Sequence, residues 1–372
     1  MPVRIGILST YPPTQCGLAT FSKALADHLL DVGAAVSVVR VVDSPQPHVP
    51  LVSHQLVTGQ RESAAAAARA LNACDVALVQ HEYGIFGGPD GVDVLDVLAR
   101  VQVPVIVVLH TVLANPTPHQ HHVLAKVLEA ADAAITMTQA GRRRLVAGWG
   151  VDPGSVVVIP HGARPNLSEP VATTSRPTIL TWGLLSDGKG IEWALEAVAG
   201  LADLDPQPLY QIVGQTHPRV VEREGEVYRD RLVALADRLG ITSMVSFDDR
   251  YLDVRTLQGI VRAADVVLLP YDSPDQVTSG VLTEAVVAGR PVVSTPFPHA
   301  VELLSGGAGT LVDRRDVVGM RTAVRQILTD ADLAARMARA AAGLAPAQLW
   351  SSVAREYLAL ATTLRSSSRS VA

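Results

Sequence analysis

Continuous apolar runs alternate along the chain with segments of helical periodicity. In the first half the apolar runs cover residues 3–8, 76–79, 105–109 and 156–159, and the helical segments cover residues 20–32, 92–100, 118–130 and 140–147, with an alanine tract at 64–68. Strands that are apolar throughout are typical of a parallel sheet, because helices cover both of its faces. The order of strands and helices therefore predicts a doubly wound α/β domain.

The same alternation starts again after a polar stretch at residues 163–177, which we interpret as a linker. It predicts strands at 178–182, 209–214, 245–248, 266–270 and 291–295, and helices at 191–201, 226–239, 280–288, 317–328, 333–342 and 350–364. We therefore expect two Rossmann-like domains that face each other across a cleft, residues 1–165 and 166–345. Residues 346–372 are expected to form a last helix and a disordered, serine-rich tail.

Composition excludes several classes of protein. The 372 residues carry a net charge of −5, whereas a general nucleic-acid binder usually presents a basic face. Two cysteines cannot form a disulfide framework and fit a reducing compartment. No targeting segment is visible, and no apolar stretch approaches the roughly 18 residues of a membrane span. We expect a cytoplasmic protein, and peripheral contact with a membrane stays open.

Two candidate site residues lie just after predicted strands of the first domain. In doubly wound sheets, ligands bind beyond the carboxyl ends of strands, where loops meet helix N-termini. Gly17 stands in the loop after the first strand, and His110 directly follows the run 105–109. A glycine lets the backbone approach a ligand, and a histidine can bind a hydroxyl or move a proton near neutral pH. A plain surface turn is the alternative for Gly17.

A polar cluster follows the strand at 76–79. His81, Glu82 and Tyr83 stand together there, ahead of a glycine-rich turn. Their proximity favours a binding site over the alternative, a capped turn with a buried histidine. The zinc motif His-Glu-x-x-His is not present, because Ile85 occupies the place of its second histidine.

The second domain offers two anion-binding signals. Gly183 and Lys189 lie in a glycine-rich loop between a predicted strand and helix, and a lysine at a helix N-terminus suits a phosphate. The polar loop that ends in Thr278, Ser279 and Gly280 leads into a helix that carries Glu284. That carboxylate can accept two hydrogen bonds from a vicinal diol such as a ribose. The alternatives are a solvated lysine and an acid placed near a helix start for its dipole.

With these motifs the chain resembles the GT-B glycosyltransferases, specifically the retaining family 4. The glycine-lysine-glycine loop of that family is similar to residues 183–190, its Glu-x7-Glu motif to Gln276 through Glu284, its N-domain glycine loop to Gly17 and its strand-end histidine to His110. The resemblance implies transfer of a hexose-type sugar from a nucleotide-diphosphate sugar to an acceptor hydroxyl with retention. It also implies that the last helix crosses back onto the first domain.

The resemblance also implies roles for individual residues. Lys189 and the Thr278–Ser279–Gly280 segment would hold the diphosphate, Glu284 the ribose, Gln276 and His110 the sugar, and Gly17 and Gly183 would allow close backbone approach. A small-molecule, glycan or lipid-linked acceptor would lie near His81, Glu82 and Tyr83. No metal and no cofactor are expected, and the Asp-x-Asp patterns at 203–205 and 330–332 are interpreted as solvated turns.

Two departures from the family pattern affect these roles. Leu184 stands where the family commonly has an arginine, and Arg250 is a candidate substitute. Gln276 replaces the first glutamate of the motif, and a neutral amide bonds sugar hydroxyls less strongly than a carboxylate does. Two alternative functions therefore stay open. One is a nucleotide-sugar epimerase of the same fold that uses His81, Glu82 and His110, and the other is a non-catalytic sugar-nucleotide-binding partner subunit.

Overall fold

A computed structural model gives the fold over residues 1–170, 175–273 and 276–371. The chain divides into two compact units. The first comprises residues 1–162 together with the chain from Trp350 onward, and the second comprises residues 163–349. Each unit is a parallel sheet covered by helices, as the apolar runs predict.

The first unit contains a seven-stranded sheet with the order β3-β2-β1-β4-β5-β6-β7. Its strands are β1 (Arg4–Ser9), β2 (Ala35–Val42), β3 (Val52–Val57), β4 (Val76–His81), β5 (Val105–Leu109), β6 (Ala133–Thr136) and β7 (Val156–Val158). Its first five helices are α1 (Gly17–Asp31), α2 (Arg61–Asn72), α3 (Val94–Leu98), α4 (Pro118–Glu129) and α5 (Gln139–Trp149). All neighbouring strands run parallel.

The second unit contains a six-stranded parallel sheet with the order β10-β9-β8-β11-β12-β13. Its strands are β8 (Thr178–Trp182), β9 (Leu209–Val213), β10 (Val245–Asp248), β11 (Val266–Leu269), β12 (Val292–Ser294) and β13 (Gly309–Leu311). Its helices are α6 (Ile191–Ala199), α7 (Pro218–Glu224), α8 (Val227–Arg238), α9 (Val254–Ala263), α10 (Gly280–Val287), α11 (Pro298–Leu304), α12 (Val317–Thr329) and α13 (Ala331–Gln348).

The last helix, α14 (Trp350–Val371), returns to the first unit and packs against α1. Trp350, Val353 and Tyr357 are buried in the same apolar cluster as Phe21 and Leu25 of α1. This helix therefore completes the core of a unit whose other elements all lie within the first 162 residues.

The strand orders fix where each unit can bind a ligand. The order reverses between β1 and β4 in the first sheet and between β8 and β11 in the second. At such a point the connections leave in opposite directions and open a crevice beyond the carboxyl ends of the two strands. The loops that follow these four strands carry most of the candidate site residues.

Most predicted elements are confirmed, and the missed ones include the apolar strand β2 as well as short or polar segments. The strands at 178–182 and 245–248 have the predicted bounds. The sequence pattern did not predict the strands β2, β3, β6 and β13, or the helices α7, α9 and α11. In β3, Ser53, His54 and Gln55 interrupt the apolar run, because an edge strand needs apolar side chains on fewer sides.

The structure adds detail to one expected irregular segment, and a second expectation, that of a disordered tail, is wrong. The stretch expected as a linker is bonded to the second unit from its start, since Ala163 N donates to Gln348 O at 2.7 Å and Asn166 Nδ2 donates to Gln258 O at 2.9 Å. Its residues 171–174 lie outside the described ranges. The serine-rich tail is helical through Val371, where hydroxyls such as that of Ser366 bond to a carbonyl one turn earlier.

Across the described ranges, no helix combines the length and apolar character that a membrane crossing requires.

The start of α14 yields a stability prediction. A Cβ added at Gly162 would lie 2.2 Å from Cδ2 of buried Trp350. We expect Gly162→Ala to displace the indole and destabilise the first unit by about 1–3 kcal/mol. Each kcal/mol corresponds to a melting-temperature loss of about 2–4 °C in calorimetry.

Gly343→Ala is the matched control for this substitution. Gly343 lies inside α13, where an added Cβ meets no atom within 4 Å. Alanine there should be neutral or stabilising by up to about 1 kcal/mol. Equal melting temperatures for the two variants would contradict the packing argument.

Candidate functional site

In the second unit, the loops that follow β8 and β11 pack directly on each other. Asp272 N donates to Gly188 O at 2.9 Å. Gly190 has a φ of +67°, and a Cβ there would lie 1.9 Å from Pro270 O. Only glycine fits at position 190, so this close contact of the two loops requires the glycine that the sequence has there.

Lys189 projects from this contact onto an aromatic face. Its Nζ lies 4.6 Å from the ring centroid of Tyr271. Tyr271 is 1% exposed and stacks on Phe297 with the ring centroids 5.3 Å apart. A rigid, buried ring attracts the ammonium and limits the positions that it can adopt.

Gly183 directly follows β8 and takes part in a second close contact between two backbone segments. Its φ is +121°, and a Cβ on Gly214, which follows β9, would lie 2.2 Å from Gly183 O. Arg229 Nη2 donates to Gly214 O at 2.8 Å, and the Arg229 side chain is only 11% exposed. Sequence reasoning missed this cation because it lies on α8, far from any strand end in sequence.

Arg250, the candidate substitute for the family arginine, is held by a carboxylate. Its Nη2 and Nε lie 2.6 and 2.8 Å from the two oxygens of Asp248. This bidentate pair matches the charge of the guanidinium within the protein. Arg250 is therefore a weaker candidate for a diphosphate ligand than its position at a strand end suggests, while partly exposed Leu184 contributes no charge.

Glu284 lies in the second turn of α10, where Trp182 Nε1 donates to its Oε2 at 3.4 Å. Solvent reaches the residue, yet the protein around the carboxyl group desolvates it enough to raise its pKa to about 7. The carboxyl group therefore exchanges between neutral and ionised forms near physiological pH. Trp182, a partner that sequence reasoning did not identify, orients it.

The segment before α10 is positioned by a histidine from another element. Ser279 caps α10, since its Oγ accepts from Leu282 N at 3.2 Å. The Ser279 amide donates to Nδ1 of His299 at 2.9 Å, and His299 is 3% exposed at the start of α11. His299 thus fixes the backbone next to Thr278 and Gly280. No sequence signal marked His299, because it lies after β12 whereas the segment that it contacts lies after β11.

Gln276 is partly exposed in the same loop, eight positions ahead of Glu284. Residues 274 and 275 of this loop lie outside the described ranges.

In the first unit, Gly17 begins α1 with an open backbone. It is exposed, and an added Cβ would meet no protein atom within 4 Å. The preceding residue, Cys16, caps the helix, because its Sγ accepts from Ala19 N at 3.3 Å. The fold does not itself require a glycine at this position, so a close-approach role for Gly17 is compatible with the geometry.

His110 is held at the end of β5 as a neutral imidazole. Its Nε2 donates to Gln80 Oε1 at 2.7 Å, and its backbone N donates to His81 O at 3.1 Å. Burial, with lesser contributions from His161 and His81, holds the pKa of His110 well below its usual value. Because Nε2 carries the proton, Nδ1 has a lone pair that can accept a hydrogen bond.

His81, Glu82 and Tyr83 come together with His110, as their spacing suggests. His81 is 1% exposed, and burial lowers its pKa to about 4. Glu82 accepts from the Thr111 hydroxyl and from Tyr83 N, the latter at 3.0 Å. Burial raises the pKa of both Glu82 and Tyr83. The sequence analysis did not identify Thr111 as a member of this cluster.

The Asp-x-Asp patterns have structural contacts. Asp203 pairs with Arg325 through both oxygens, at 2.6 and 3.0 Å. Asp330 caps α13 by accepting from Leu333 N at 2.9 Å. Among the described residues, no three His, Cys, Asp or Glu side chains are grouped so that they could hold a metal ion.

Comparison with known proteins agrees with this architecture. A family model described as "Glycosyltransferase Family 4" matches residues 16–167, and one described as "Glycosyl transferases group 1" matches residues 176–330. The D-inositol 3-phosphate glycosyltransferase of Corynebacterium diphtheriae is 29% identical over 252 residues, 62% of this chain and 56% of that protein. Glycogen synthase of Mycobacterium tuberculosis is 28% identical over 225 residues, 59% of this chain and 51% of that protein. The matched region spans about half the length of these curated relatives.

Solved structures share the fold over nearly the whole chain. Sucrose-phosphate synthase from Thermosynechococcus elongatus gives a TM-score of 0.78 at 18% identity. The alignment covers 98% of this chain and 100% of the synthase chain. Anabaena HepE in complex with UDP and glucose gives 0.77 at 16% identity, covering 97% and 100%. The two parallel-sheet units are thus the Rossmann-like domains of a GT-B fold. With a family model over each half, the chain belongs to the GT-B glycosyltransferases of the family 4 type.

The raised pKa of Glu284 predicts a pH-dependent gain in stability for Glu284→Gln. The carboxyl pKa is about 7 in the folded state, against 4.5 as the reference value. Its contribution to stability is therefore complete below about pH 4.5 and is lost as the pH rises through 7. Because solvent reaches the side chain, we expect only about 1 kcal/mol of gain for the variant near pH 8.

Thermal unfolding between about pH 5 and pH 8 measures this effect, since the curves of variant and native protein should converge at the acidic end. Glu129→Gln, at a side chain that is 64% exposed on α4, removes an equal charge and serves as the control. A constant offset between Glu284→Gln and the native protein across the range would contradict the assigned pKa.

Proposed function

We propose that the protein is a retaining, metal-independent glycosyltransferase that moves a hexose-type sugar from a nucleotide-diphosphate sugar to an acceptor hydroxyl. The observation that carries the proposal is the contact between the two loops of the second unit. That contact sets Lys189 beside Tyr271 and leads into the helix of Glu284 at the carboxyl ends of β8 and β11. A crevice at this edge suits a nucleotide.

In this proposal Lys189 stabilises the leaving diphosphate as its negative charge develops. An ammonium held before the reaction begins needs no reorganisation in the transition state. The glycine backbones at Gly183 and Gly190 allow the loop to approach phosphate oxygens closely. Arg229 and Arg250 are both secondary candidates, because each is already paired with a carboxylate, Glu226 and Asp248 respectively.

Glu284 accepts hydrogen bonds from the ribose diol. Thr278 belongs to the segment before α10, and Gly280 is the first residue of that helix. The amide of Ser279 already donates to His299, and its hydroxyl already accepts from Leu282 N as the helix cap. Ser279 therefore acts by shaping the segment, a change from the direct contact that the sequence suggested. Gln276, at the start of the segment, contacts the transferred sugar.

In the first unit, His110 contacts the sugar through the lone pair of Nδ1, and Gly17 allows close approach of the backbone. The acceptor lies near His81, Glu82 and Tyr83. In the reaction the bond from the anomeric carbon to the phosphate oxygen breaks, a bond to the acceptor oxygen forms on the same face, and the acceptor proton passes to the leaving phosphate oxygen. No protein nucleophile takes part.

Nucleotide binding tests the donor site. We expect one nucleoside diphosphate among UDP, GDP and ADP to bind in calorimetry. Lys189→Met should weaken it about 10- to 100-fold, because a charged hydrogen bond is worth about 1.5–3 kcal/mol. Methionine keeps the contact with the Tyr271 ring, so folding should be preserved.

Arg231→Gln is the control for Lys189→Met. Arg231 contacts the same loop through Asp187, with Nη2 and Oδ1 2.7 Å apart, but is 58% exposed. It should bind nucleotide as the native protein does. Equal losses in both variants would indicate a general charge effect, and no binding of any nucleotide to folded native protein would refute the donor site.

Gln276→Glu tests the weakened motif. A carboxylate makes hydrogen bonds to sugar hydroxyls about twice as strong as those of an amide, so the variant should transfer sugar several-fold faster. Initial rates of nucleoside diphosphate release, with and without acceptor, provide the measurement. An unchanged or lower rate would remove Gln276 from the sugar site, and a converted nucleotide sugar without acceptor would indicate an epimerase instead.

A further inference from the structure

Glu82 brings a carboxylate into a cluster of otherwise neutral polar groups. One oxygen accepts from the Thr111 hydroxyl and the other from Tyr83 N at 3.0 Å. A carboxylate offers about four lone-pair positions, so each oxygen can accept one more hydrogen bond. The residue is partly exposed, which lets a ligand hydroxyl reach it.

Two fully buried side chains beside Glu82 lack a complete set of partners. Gln80 is 0% exposed and His81 is 1% exposed. Within the described part of the chain, Gln80 Nε2 and His81 Nδ1 have no hydrogen-bond partner. Both belong to the cluster, since the Gln80 amide bonds to His110 and the His81 ring meets Tyr83 edge-on with centroids 5.1 Å apart. Hydroxyl groups, which both donate and accept, can satisfy such a mixed set.

Basic side chains near the cluster form hydrogen bonds with groups other than Glu82, and Arg144 keeps its positive charge there. Arg144 donates from Nη1 to Val112 O at 3.0 Å, and His119 Nδ1 lies 2.7 Å from Asp90. Burial raises the pKa of Glu82, and the hydrogen bonds from Thr111 and Tyr83 oppose that rise. When Glu82 is ionised, its own negative charge faces any ligand that reaches it.

We propose that Glu82, with Thr111 and the amide of Gln80, selects an uncharged polyhydroxylated acceptor and rejects one that carries a phosphate at this position. The inference rests on the function proposed above, because it takes this cluster as the acceptor side of the site. A hydroxyl can donate to Glu82, whereas a phosphate oxygen can only accept.

A phosphate dianion beside Glu82 would be disfavoured in either protonation state. It would face a like charge when Glu82 is ionised, or it would require Glu82 to take up a proton. Both outcomes cost binding free energy, and the second cost grows as the pH rises. Rejection of the phosphate should therefore strengthen from neutral to mildly alkaline pH.

The test measures binding of matched pairs, myo-inositol with inositol 3-phosphate and glucose with glucose 6-phosphate, by ligand-observed NMR. Each pair is titrated with and without UDP, GDP or ADP. We expect native protein to favour the uncharged member by about tenfold or more. Glu82→Gln should reduce that ratio at least about fivefold, because it removes the charge and keeps the shape.

Two variants separate charge from structure. Thr111→Val removes the hydroxyl partner but leaves the carboxylate, so rejection of the phosphorylated member should persist. Glu129→Gln removes an equal charge elsewhere on the first unit and should leave the ratio unchanged.

Three outcomes overturn the proposal: tighter binding of the phosphorylated members, a ratio in Glu82→Gln equal to that in Glu129→Gln, or binding of neither member while a nucleotide binds. If no nucleotide binds but the protein still prefers the uncharged member of each pair, the proposed function is refuted. The selectivity assigned to Glu82 is then still supported.

Discussion

The second unit depends on a backbone contact that tolerates no side chain, between Gly190 and the carbonyl of Pro270. Because this contact joins the loops after β8 and β11, it determines where Lys189 and the segment before α10 can lie. Gly214 makes a similar contact with Gly183 one strand further along the sheet. A surface built from such contacts presents backbone amides and one ammonium in fixed positions. That arrangement suits an anion whose charge grows during a reaction.

Burial then adjusts the charge of the side chains around these loops. It keeps His81 and His110 neutral. Desolvation of its carboxyl group by the surrounding protein raises the pKa of Glu284, an exposed residue, to about 7. Glu284 therefore lowers the stability of the folded protein whenever it is ionised. A carboxylate that a more stable protein would replace is retained where a ligand can bond to it, as expected when function and stability conflict at a site.

Sequence reasoning reached the fold because the apolar runs report burial on both faces of the strands. It singled out Lys189 and Glu284 as candidates because both lie on a strand-loop-helix unit whose position in the sheet is predictable. It missed His299 and Arg229, since contacts across elements depend on how helices pack rather than on local spacing. It overestimated the availability of Arg250 as a diphosphate ligand. Spacing alone does not reveal that Asp248, two residues earlier, pairs with its guanidinium.

In the first unit, too, sequence spacing predicts where side chains lie, whereas packing determines their protonation state. The strand-end positions of His81 and His110 follow from periodicity, yet their neutral state follows from the three-dimensional burial of the loops. Glu82 differs from both, because its two hydrogen bonds and its partial exposure keep a carboxylate usable beside imidazoles that are not charged. This edge therefore offers both acceptors, on Glu82, and a donor, the amide nitrogen of Gln80. We therefore expect a ligand that binds here to carry hydroxyl groups, because hydroxyls both donate and accept hydrogen bonds.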